Sequence, residues 1–192
     1  MVPRLRGFLL IEPMAEYNFT VREMLLSDME HLANYWTNSP PEYLTGMGVD
    51  ISKLPLKENF ISMLEDQFHK PIEEKRAYCI IWLIDDQPVG HSNTNPTFYG
   101  KEANMHLHLW HPENRRRGLG EIFLQMTIPL FFKNLKLERL ICEPYALNPA
   151  PHKALEKLGF ELEKEYTTVP GSINFEQPVK RWVLTAERFV SC

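Results

Sequence analysis

The sequence is poor in cysteine and has no long apolar run. Its three cysteines, Cys79, Cys142 and Cys192, include no Cys-x-x-Cys pair and are too few for a disulfide framework. This scarcity favours a reducing compartment, and we expect a cytoplasmic protein. No apolar run approaches the roughly 20 residues that a membrane helix needs, so no membrane partner is expected.

Positive charge is also in short supply. The 192 residues include 21 Lys and Arg against 25 Asp and Glu, which gives a net charge of −4. A protein that binds nucleic acid over its whole surface needs the opposite balance, so no nucleic-acid partner is expected. With 44% hydrophobic residues, the chain has enough apolar material for the core of one ordinary domain.

The first 16 residues are predicted to form an N-terminal arm. Arg4 and Arg6 precede the apolar stretch 8–11, as at the start of a signal peptide. That stretch stops at Glu12 and Pro13, and it is shorter than the roughly 7–15 apolar residues of a signal sequence. We therefore expect the domain to occupy residues 17–192.

Apolar periodicity and turn residues predict an α/β domain with seven strands and four helices. The predicted order is β-α-α-β-β-β-α-β-α-β-β. The strands are placed at 17–22, 77–84, 89–94, 102–110, 137–143, 160–168 and 179–185, and the helices begin near residues 27, 55, 117 and 149.

Three local features refine this prediction. Ser27 and Glu30 have the spacing of a capping box, which predicts the start of the first helix. The stretch 40–51, with two prolines and two glycines, is predicted to be a loop. Pro129 is predicted to kink or break the helix that begins near residue 117.

The junction between the third predicted helix and the strand before it has the sequence Trp110-His-Pro-Glu-Asn-Arg-Arg-Arg-Gly-Leu-Gly120. Free backbone N–H groups and the helix dipole make such a junction an anion site. Three arginines at the positive end of the dipole are each disfavoured by a few tenths to about 1 kcal/mol, and a bound anion would reverse this. A solvated basic loop is the alternative interpretation.

Two well-known phosphate motifs are missing at this junction. The P-loop pattern Gly-x-x-x-x-Gly-Lys-Ser/Thr does not occur. A dinucleotide-binding fingerprint needs three glycines, and here Gly118 and Gly120 are followed by Phe123 at the third position. The sequence therefore supports neither a Walker ATPase nor a classical dinucleotide enzyme.

The pattern Arg-x-x-Gly-x-Gly, from Arg115 to Gly120, resembles the acetyl-CoA pyrophosphate loop of the GNAT N-acetyltransferase superfamily. A second match is Asn148, which stands eleven residues before Gly159 in a segment that ends Glu-Lys-Leu-Gly-Phe. Leu155 before Glu-Lys is similar to the branch that contains ribosomal-protein N-terminal acetyltransferases.

This resemblance covers about residues 17–187. It implies a single GNAT-type domain with a mixed, mostly antiparallel seven-stranded sheet flanked by about four helices. It also implies acetyl-CoA as co-substrate, lying where the strand 102–110 and the strand 137–143 splay apart.

The resemblance assigns cofactor contacts residue by residue. Arg115 takes the Gln/Arg position of the family motif. Leu109 and Trp110 would pair their backbone with the pantetheine arm, and Asn148 would hydrogen-bond that arm from the other side. The pyrophosphate would be cradled by the backbone N–H groups of Arg116, Arg117, Gly118, Leu119 and Gly120.

Acetyl transfer to an amine needs a base for the amine proton and a proton for the leaving thiolate. Many members of the family have a Glu on the strand before the loop, whereas this chain has Asn104 or Met105 at that register. The polar face of the strand instead offers two imidazoles. An imidazole with a pKa near neutrality suits a base at pH 7. We predict His108 ahead of His106 as the base, with Glu102, acting through water, as a third candidate.

Other roles for these residues stay open. Two histidines on one strand face, about 7 Å apart, can also hold a metal or simply line a polar cleft. The tyrosine and serine that serve family members as acid are replaced by Leu155 and Pro151. Tyr145 and His152 are the available substitutes; otherwise water protonates the thiolate or it leaves unprotonated.

Further residues are candidates for the acceptor side. The polar run 91–95 borders the expected cleft, and its alternative is a solvated edge strand. Trp36, Tyr43 and the segment 46–48 lie where the family shapes its acceptor pocket, or they only pack against the first helix.

The resemblance thus implies an N-acetyltransferase in which a primary amine attacks acetyl-CoA directly in a ternary complex, without a metal. The acceptor is a protein or peptide N-terminus or a small-molecule amine. Two alternatives are a non-catalytic module that binds acyl-CoA and a nucleotide-phosphate protein that uses the same loop.

Overall fold

A computed structural model describes residues 17–115 and 117–191. The predicted N-terminal arm, residues 1–16, lies outside the described residues, as do Arg116 and Cys192.

One seven-stranded mixed sheet organises the chain, in the order β1-β2-β3-β4-β5-β7-β6. Its β4 and β5 strands are parallel, and all other neighbours are antiparallel. This confirms the predicted mixed, mostly antiparallel sheet. The strands are β1 (Phe19–Glu23), β2 (Tyr78–Ile84), β3 (Gln87–Phe98), β4 (Glu102–Leu109), β5 (Arg139–Cys142), β6 (Glu161–Thr168) and β7 (Gln177–Thr185).

Six helices flank the sheet in the described residues, and four of them are long. All four predicted helices are present, and the two short ones were not predicted. The helices are α1 (Met29–Asn38), α2 (Pro41–Gly46), α3 (Lys57–His69), α4 (Leu119–Leu135), α5 (Pro149–Lys157) and α6 (Ala186–Ser191).

Two local predictions were wrong. A 3₁₀ turn at Leu26–Asp28 precedes α1, and the Asp28 carboxylate, rather than a Ser27 capping box, accepts the Leu25 N–H at 2.7 Å. The stretch 40–51, predicted as a loop, contains α2, which begins at Pro41, a favourable first helical residue.

Pro129 does not break α4, which runs unbroken over 17 residues. A proline deprives the carbonyl four residues earlier of its hydrogen bond. That carbonyl belongs to Gln125, which is exposed, so water can satisfy it.

The sheet is covered on both faces. On one face, Trp82 stacks on Phe123 of α4, with ring centroids 5.1 Å apart, and its indole N–H donates to the buried Thr127 hydroxyl at 2.9 Å. On the other face, a second apolar cluster joins the sheet to α1 through Leu32 and Tyr35. Both faces of β4 are therefore packed against helices, and its two sets of side chains lie in different surroundings.

The described part of the chain contains no helix long and apolar enough to cross a membrane. Cys79 and Cys142 are buried, unpaired thiols. Burial raises the pKa of Cys142 to about 12, so this thiol stays protonated near neutral pH.

The segment after α2 is fastened to the loop between β6 and β7. The Gly48 carbonyl accepts from the side-chain amides of Asn174 at 2.8 Å and Gln177 at 3.1 Å. The Asp50 N–H donates to the Ile173 carbonyl at 2.8 Å. We call this contact between residues 48–50 and 173–177 the clasp. It holds two segments that are far apart in sequence against each other beside the site described below.

Gly48 is the position on which the clasp depends. Its φ is +89°, and a Cβ there would lie 1.9 Å from Gln177 Oε1. We expect Gly48→Ala to lower the free energy of unfolding by roughly 2–4 kcal/mol, because backbone strain and overlap add. Chemical denaturation measures this change.

Gly46→Ala is the matched control, because a Cβ at Gly46 meets nothing within 4 Å. It should change stability by less than about 0.5 kcal/mol. Adding Gln177→Ala to Gly48→Ala should recover the part due to overlap but not the part due to φ. A Gly48→Ala protein as stable as Gly46→Ala would contradict this account of the clasp.

Candidate active site

One cleft of about 2080 Å³ contains most of the residues singled out from the sequence. It runs from α1, α3 and the start of β2 to the end of β4, the chain that follows β5, the start of α4 and the clasp. The predicted site residues that line it are His106, His108, Leu109, Arg115, Gly118, Gly120, Tyr145 and Asn148.

The cleft exists because β4 and β5 separate. The two strands pair only across three positions, from Glu102 with Arg139 to Asn104 with Ile141. Beyond Asn104, β5 ends at Cys142 while β4 continues to Leu109, still paired with β3. The edge of β4 that faces β5 is therefore open to a ligand along its second half.

Backbone direction decides which groups of β4 face this gap. The Trp110 N–H donates to the Val89 carbonyl of β3 at 3.0 Å. Because directions alternate along an antiparallel strand, the backbone groups of Leu107 and Leu109 face the gap instead. Of the two residues expected to pair with a pantetheine arm, Leu109 thus presents its N–H to the gap, whereas the Trp110 N–H is already used.

The start of α4 forms the floor of one end of the cleft. Gly118 has a φ of +75°, and its carbonyl accepts the N–H groups of Glu121 and Ile122. The N–H groups of Leu119 and Gly120 precede these first intrahelical bonds, as at any helix start. A Cβ at Gly118 or Gly120 would meet nothing within 4 Å.

Packing within the described chain does not explain Gly120. Glycine in a helix is generally less favourable than alanine by roughly 0.5–1 kcal/mol. There is open space for a Cβ at this residue, on the side where it lines the cleft. A glycine here leaves the backbone accessible to a ligand at the positive end of the helix dipole.

The arginines of the junction point in different directions. Arg117 is exposed and lines a separate pocket of about 210 Å³ with Leu119, so neither side chain faces the cleft. Arg115 turns back onto the end of β4, where its Nε and Nη2 donate to the carbonyls of Leu109 and Trp110, both at 3.1 Å. Arg116 lies outside the described residues.

His108 lies inside an aromatic cluster on the polar face of β4. Its Nδ1 is 3.1 Å from the Tyr35 hydroxyl, and its ring centroid is 4.9 Å from that of Trp36 and 4.8 Å from that of His91. Desolvation lowers the pKa of His108 well below its ordinary value, and the charge of Arg115 lowers it further. The imidazole is therefore neutral near pH 7, with a lone pair for a proton.

His91 packs against His108 in the fully buried part of this cluster. Its Nδ1 accepts the Trp110 indole N–H at 2.8 Å, so a neutral His91 carries its own hydrogen on Nε2. Desolvation lowers the pKa of His91 to about 3. The Trp110 side chain thus supports this histidine pair from within the core.

His106 also lines the cleft but is occupied. Its Nε2 lies 2.8 Å from the Asn95 carbonyl, and since a carbonyl only accepts, this nitrogen carries the hydrogen. Desolvation lowers the pKa of His106. Within residues 17–115 and 117–191, no three His, Cys, Asp or Glu side chains come together as a metal site.

The remaining candidates divide between the cleft and the opposite end of β4. Glu102 pairs with Arg139 at 2.5 Å where β4 and β5 are joined, so it lies away from the cleft. Tyr145 lines the cleft with its ring 6.0 Å from that of Phe175. Asn148 caps α5, where its side-chain oxygen accepts the Ala150 N–H at 3.4 Å.

Both ring nitrogens of His152 form hydrogen bonds within the protein. Its Nδ1 accepts the Trp182 indole N–H at 3.0 Å, and its Nε2 therefore donates to the Tyr145 carbonyl at 3.2 Å. Both ring nitrogens have partners, and the Nε2 hydrogen bond links His152 to the backbone of Tyr145.

Sequence reasoning missed Glu143, which follows β5 on the far side of the gap. Its side chain is only 9% exposed and accepts from Arg181 at 2.8 Å and from the Tyr166 hydroxyl. Desolvation, followed by contact with this carboxylate, raises the pKa of Tyr166. Asn104 Nδ2 of β4 also donates to this carboxylate, at 3.4 Å. A single glutamate after a buried strand carries no sequence signal, because its partners come from β4, β6 and β7.

Sequence reasoning also missed Tyr35. It is buried, and its hydroxyl joins His108 to the Tyr43 hydroxyl, 3.2 Å away. Helical spacing alone makes Tyr35 an ordinary core residue. Only the pairing of α1 with the polar face of β4 shows that its hydroxyl points at an imidazole.

Comparisons with known proteins identify the family of the fold. The family model for the acetyltransferase (GNAT) domain matches residues 18–161. A search of curated proteins by sequence gives no match.

Solved structures share the fold at low identity. A spermidine N-acetyltransferase from Vibrio cholerae, in complex with CoA and spermine, has a TM-score of 0.73 and 15% identity over 90% of this chain and 98% of that chain. A dodecameric structure of spermidine N-acetyltransferase from Vibrio cholerae has a TM-score of 0.70 and 15% identity over 90% and 96%. An uncharacterized protein from Bacillus halodurans has a TM-score of 0.67 and 12% identity over 92% and 89%.

The buried histidines make stability depend on acid. A folded-state pKa of about 3 for His91, below the unfolded value of about 6.5, gives stability that is complete above pH 6.5 and is lost as pH falls toward 3. We expect His91 to contribute about 2 kcal/mol to the loss of unfolding free energy between pH 7 and pH 5.

His91→Gln removes the titrating ring and keeps an acceptor for the Trp110 indole. Its unfolding free energy, measured by urea titration, should fall less than that of the parent between pH 7 and pH 5. Equal losses in the two proteins would show that His91 is not held neutral.

Proposed function

Because the chain belongs to the acetyltransferase (GNAT) domain family and is an acetyl-CoA-dependent N-acetyltransferase, we propose that its reaction takes place in the cleft between β4 and β5. The main support for this proposal is the gap between β4 and β5 beyond Asn104. The gap ends at the start of α4, where Gly118 and Gly120 leave the backbone accessible to a ligand. Acetyl-CoA supplies an activated acetyl group as a thioester.

The residues for holding the cofactor fit an anionic, extended molecule. The N–H groups of Leu119 and Gly120 and the dipole of α4 suit a pyrophosphate. The Leu109 N–H, which faces the gap, suits a carbonyl of the pantetheine arm or of the thioester. The Asn148 amide nitrogen is a second donor on the opposite wall. The proposed backbone contacts of Arg116 with the pyrophosphate and of Trp110 with the pantetheine arm rest only on the family pattern.

His108 is the proposed general base. It is neutral, it lines the cleft, and its Nδ1 is within hydrogen-bond distance of the Tyr35 hydroxyl. When the amine attacks, the C–N bond forms, the C–S bond breaks, and the amine proton passes to the imidazole. His106 is the second choice because its Nε2 is bound to Asn95. Glu102 is the third, since it lies in an ion pair away from the cleft.

Tyr145 is the proposed acid for the thiolate. Among the described residues it is the one tyrosine that lines the cleft on the side of α5. The His152 imidazole fastens its backbone, so the ring is well positioned. Thiolate release without an acid is the alternative.

A small primary amine is the proposed acceptor. Residues on both sides of the clasp, including Met47, Val49 and Ile173, line the cleft. Since the clasp holds these segments together, an acceptor must enter without parting them. This suits a small flexible molecule better than the terminus of a folded protein, which the likeness to the ribosomal-protein branch would predict.

A panel of amines tests both the activity and the acceptor. CoA release from acetyl-CoA is measured with polyamines, including the spermine bound by the Vibrio cholerae structure, with amino acids and with peptides that have a free N-terminus. Turnover of small amines above that of peptides supports the proposal, and the reverse order supports a protein substrate. Saturable CoA binding without turnover of any amine would favour a non-catalytic module.

We also propose a cytoplasmic location. The two buried cysteines are unpaired, as is usual for proteins of a reducing compartment. An arm at residues 1–16 before a domain at 17–192 stays a prediction from the sequence.

Gly120 provides a test of the cofactor position. Gly120→Trp should abolish measurable acetyl-CoA binding, because the indole would fill the space above the first turn of α4. Gly120→Ala adds only a Cβ and is the matched control, with a small or moderate loss of affinity. A thermal-shift titration with acetyl-CoA, CoA, ATP and NAD measures binding by mass action. Unchanged affinity in Gly120→Trp would overturn the cofactor position.

His108 provides a test of the chemistry. His108→Ala should lower kcat by about 10²–10⁴-fold, which is the usual contribution of a general base. Acetyl-CoA affinity should change little, since the imidazole lies away from the start of α4. His106→Ala is the matched control, with the smaller effect on kcat. The opposite ranking of the two variants would reassign the base to His106.

A further inference from the structure

We propose that Arg115 is a positioning residue for the acceptor side of the site and not a ligand of the cofactor pyrophosphate. This inference rests on the proposed function, because it concerns the base assigned there. Its evidence is the geometry of one side chain and of the hydroxyl chain behind it.

Three contacts fix the Arg115 side chain. Two are the hydrogen bonds to the Leu109 and Trp110 carbonyls at 3.1 Å. The third is the Tyr43 ring, whose centroid lies 3.6 Å from the guanidinium carbon. A planar guanidinium that stacks on a ring and donates two hydrogen bonds is held in one orientation. Arg115 therefore ties the loop before α4 to helix α2.

The contact with Tyr43 continues toward the reacting centre. The Tyr43 hydroxyl lies 3.2 Å from the Tyr35 hydroxyl, which lies 3.1 Å from His108 Nδ1. Tyr35 is buried, and desolvation raises its pKa well above the ordinary value, so its hydroxyl stays protonated. Arg115, Tyr43, Tyr35 and His108 thus form one continuous series of contacts.

Charge acts along the same path. His108 is faced by the Tyr35 hydroxyl from α1, by His91 from β3, by His106 on its own strand and by Arg115 from the loop. Tyr43 of α2 lies behind Tyr35. Among these groups the guanidinium is the permanent positive charge, and it disfavours a second positive charge on the imidazole. Burial is the main reason that the pKa of His108 is low, and the Arg115 charge adds to it. Arg115 therefore helps to hold His108 in place and favours its neutral form.

The neighbouring Arg117 behaves differently. It is exposed at the outer side of the helix start and contacts none of this network. The two arginines stand two residues apart in one loop, so a change at each alters the loop charge equally. Arg117 is therefore the natural comparison for Arg115.

The first experiment uses Arg115→Gln, Arg115→Lys and Arg117→Gln in the full-length protein. For Arg115→Gln we expect acetyl-CoA affinity to fall by less than about threefold, as for a partly exposed charge. Its kcat for an amine should fall by about tenfold or more, because the base is misplaced. Arg117→Gln removes the same charge from an exposed side chain outside this network, so its kcat should fall less than that of Arg115→Gln.

The second readout is the NMR titration of the His108 ring in the free protein. Arg115→Gln should raise the pKa of His108, because a positive charge is lost. Arg115→Lys keeps the charge and loses the fork and the stacking, so it should leave the midpoint nearer the parent value while kcat still falls. A charge effect and a positioning effect are thereby separated.

A double-mutant cycle tests the path. Tyr35→Phe removes the hydroxyl between Tyr43 and His108, so Arg115→Gln should lower kcat little further in that background. Full additivity would overturn the proposed path. Loss of acetyl-CoA binding in Arg115→Gln without a change at His108 would make Arg115 a phosphate ligand and overturn the proposal. If His108→Ala keeps its activity while Arg115→Gln still raises the pKa of His108, only the assignment of His108 as the base is refuted.

Discussion

The site depends on the separation of two parallel strands. A sheet satisfies its backbone groups by pairing, and β4 and β5 give up that pairing after three positions. Backbone groups are therefore left without a strand partner at the open edge of β4, where Leu107 and Leu109 face a cleft. An extended ligand with amide and carbonyl groups can complete this edge as a strand would. The start of α4 at the same end supplies the attraction for its anionic part.

The two faces of β4 divide the tasks of support and chemistry. Ala103 and Met105 are fully buried toward α4, so they fix the strand against the larger core. The other face carries His106 and His108 into a cluster of rings. Imidazoles there lose hydration, and the same burial that depresses their pKa keeps them unprotonated. A neutral imidazole is a weak base but an available one, which suits a reaction that must collect a proton and release it again.

The strand pattern and the glycine loop were predictable because each is local. Alternation placed the histidines on one face of β4, and the spacing of Gly118 and Gly120 marked the helix start. The partners of these groups were not predictable, because they are set by tertiary contacts. Glu143 meets Arg181 only through the antiparallel pairing of β5 with β7, and the stretch 40–51 gave no helical signal although α2 begins at Pro41. Direction was equally hidden, since an arginine in a phosphate-loop pattern turns toward an aromatic ring.

That change of direction has a consequence for how the site is assembled. If every arginine of the loop faced the pyrophosphate, no side chain of the loop would connect the cofactor half of the site with the acceptor half. Arg115 instead bonds the end of β4, where we propose that the cofactor binds, and stacks on Tyr43 of α2, beside the clasp. In this proposal the loop that anchors one substrate also sets the wall that receives the other. In a ternary-complex reaction the reacting atoms of the two substrates must be held about 3–3.5 Å apart in the right orientation, and one rigid side chain that spans both halves is a direct way to keep that alignment.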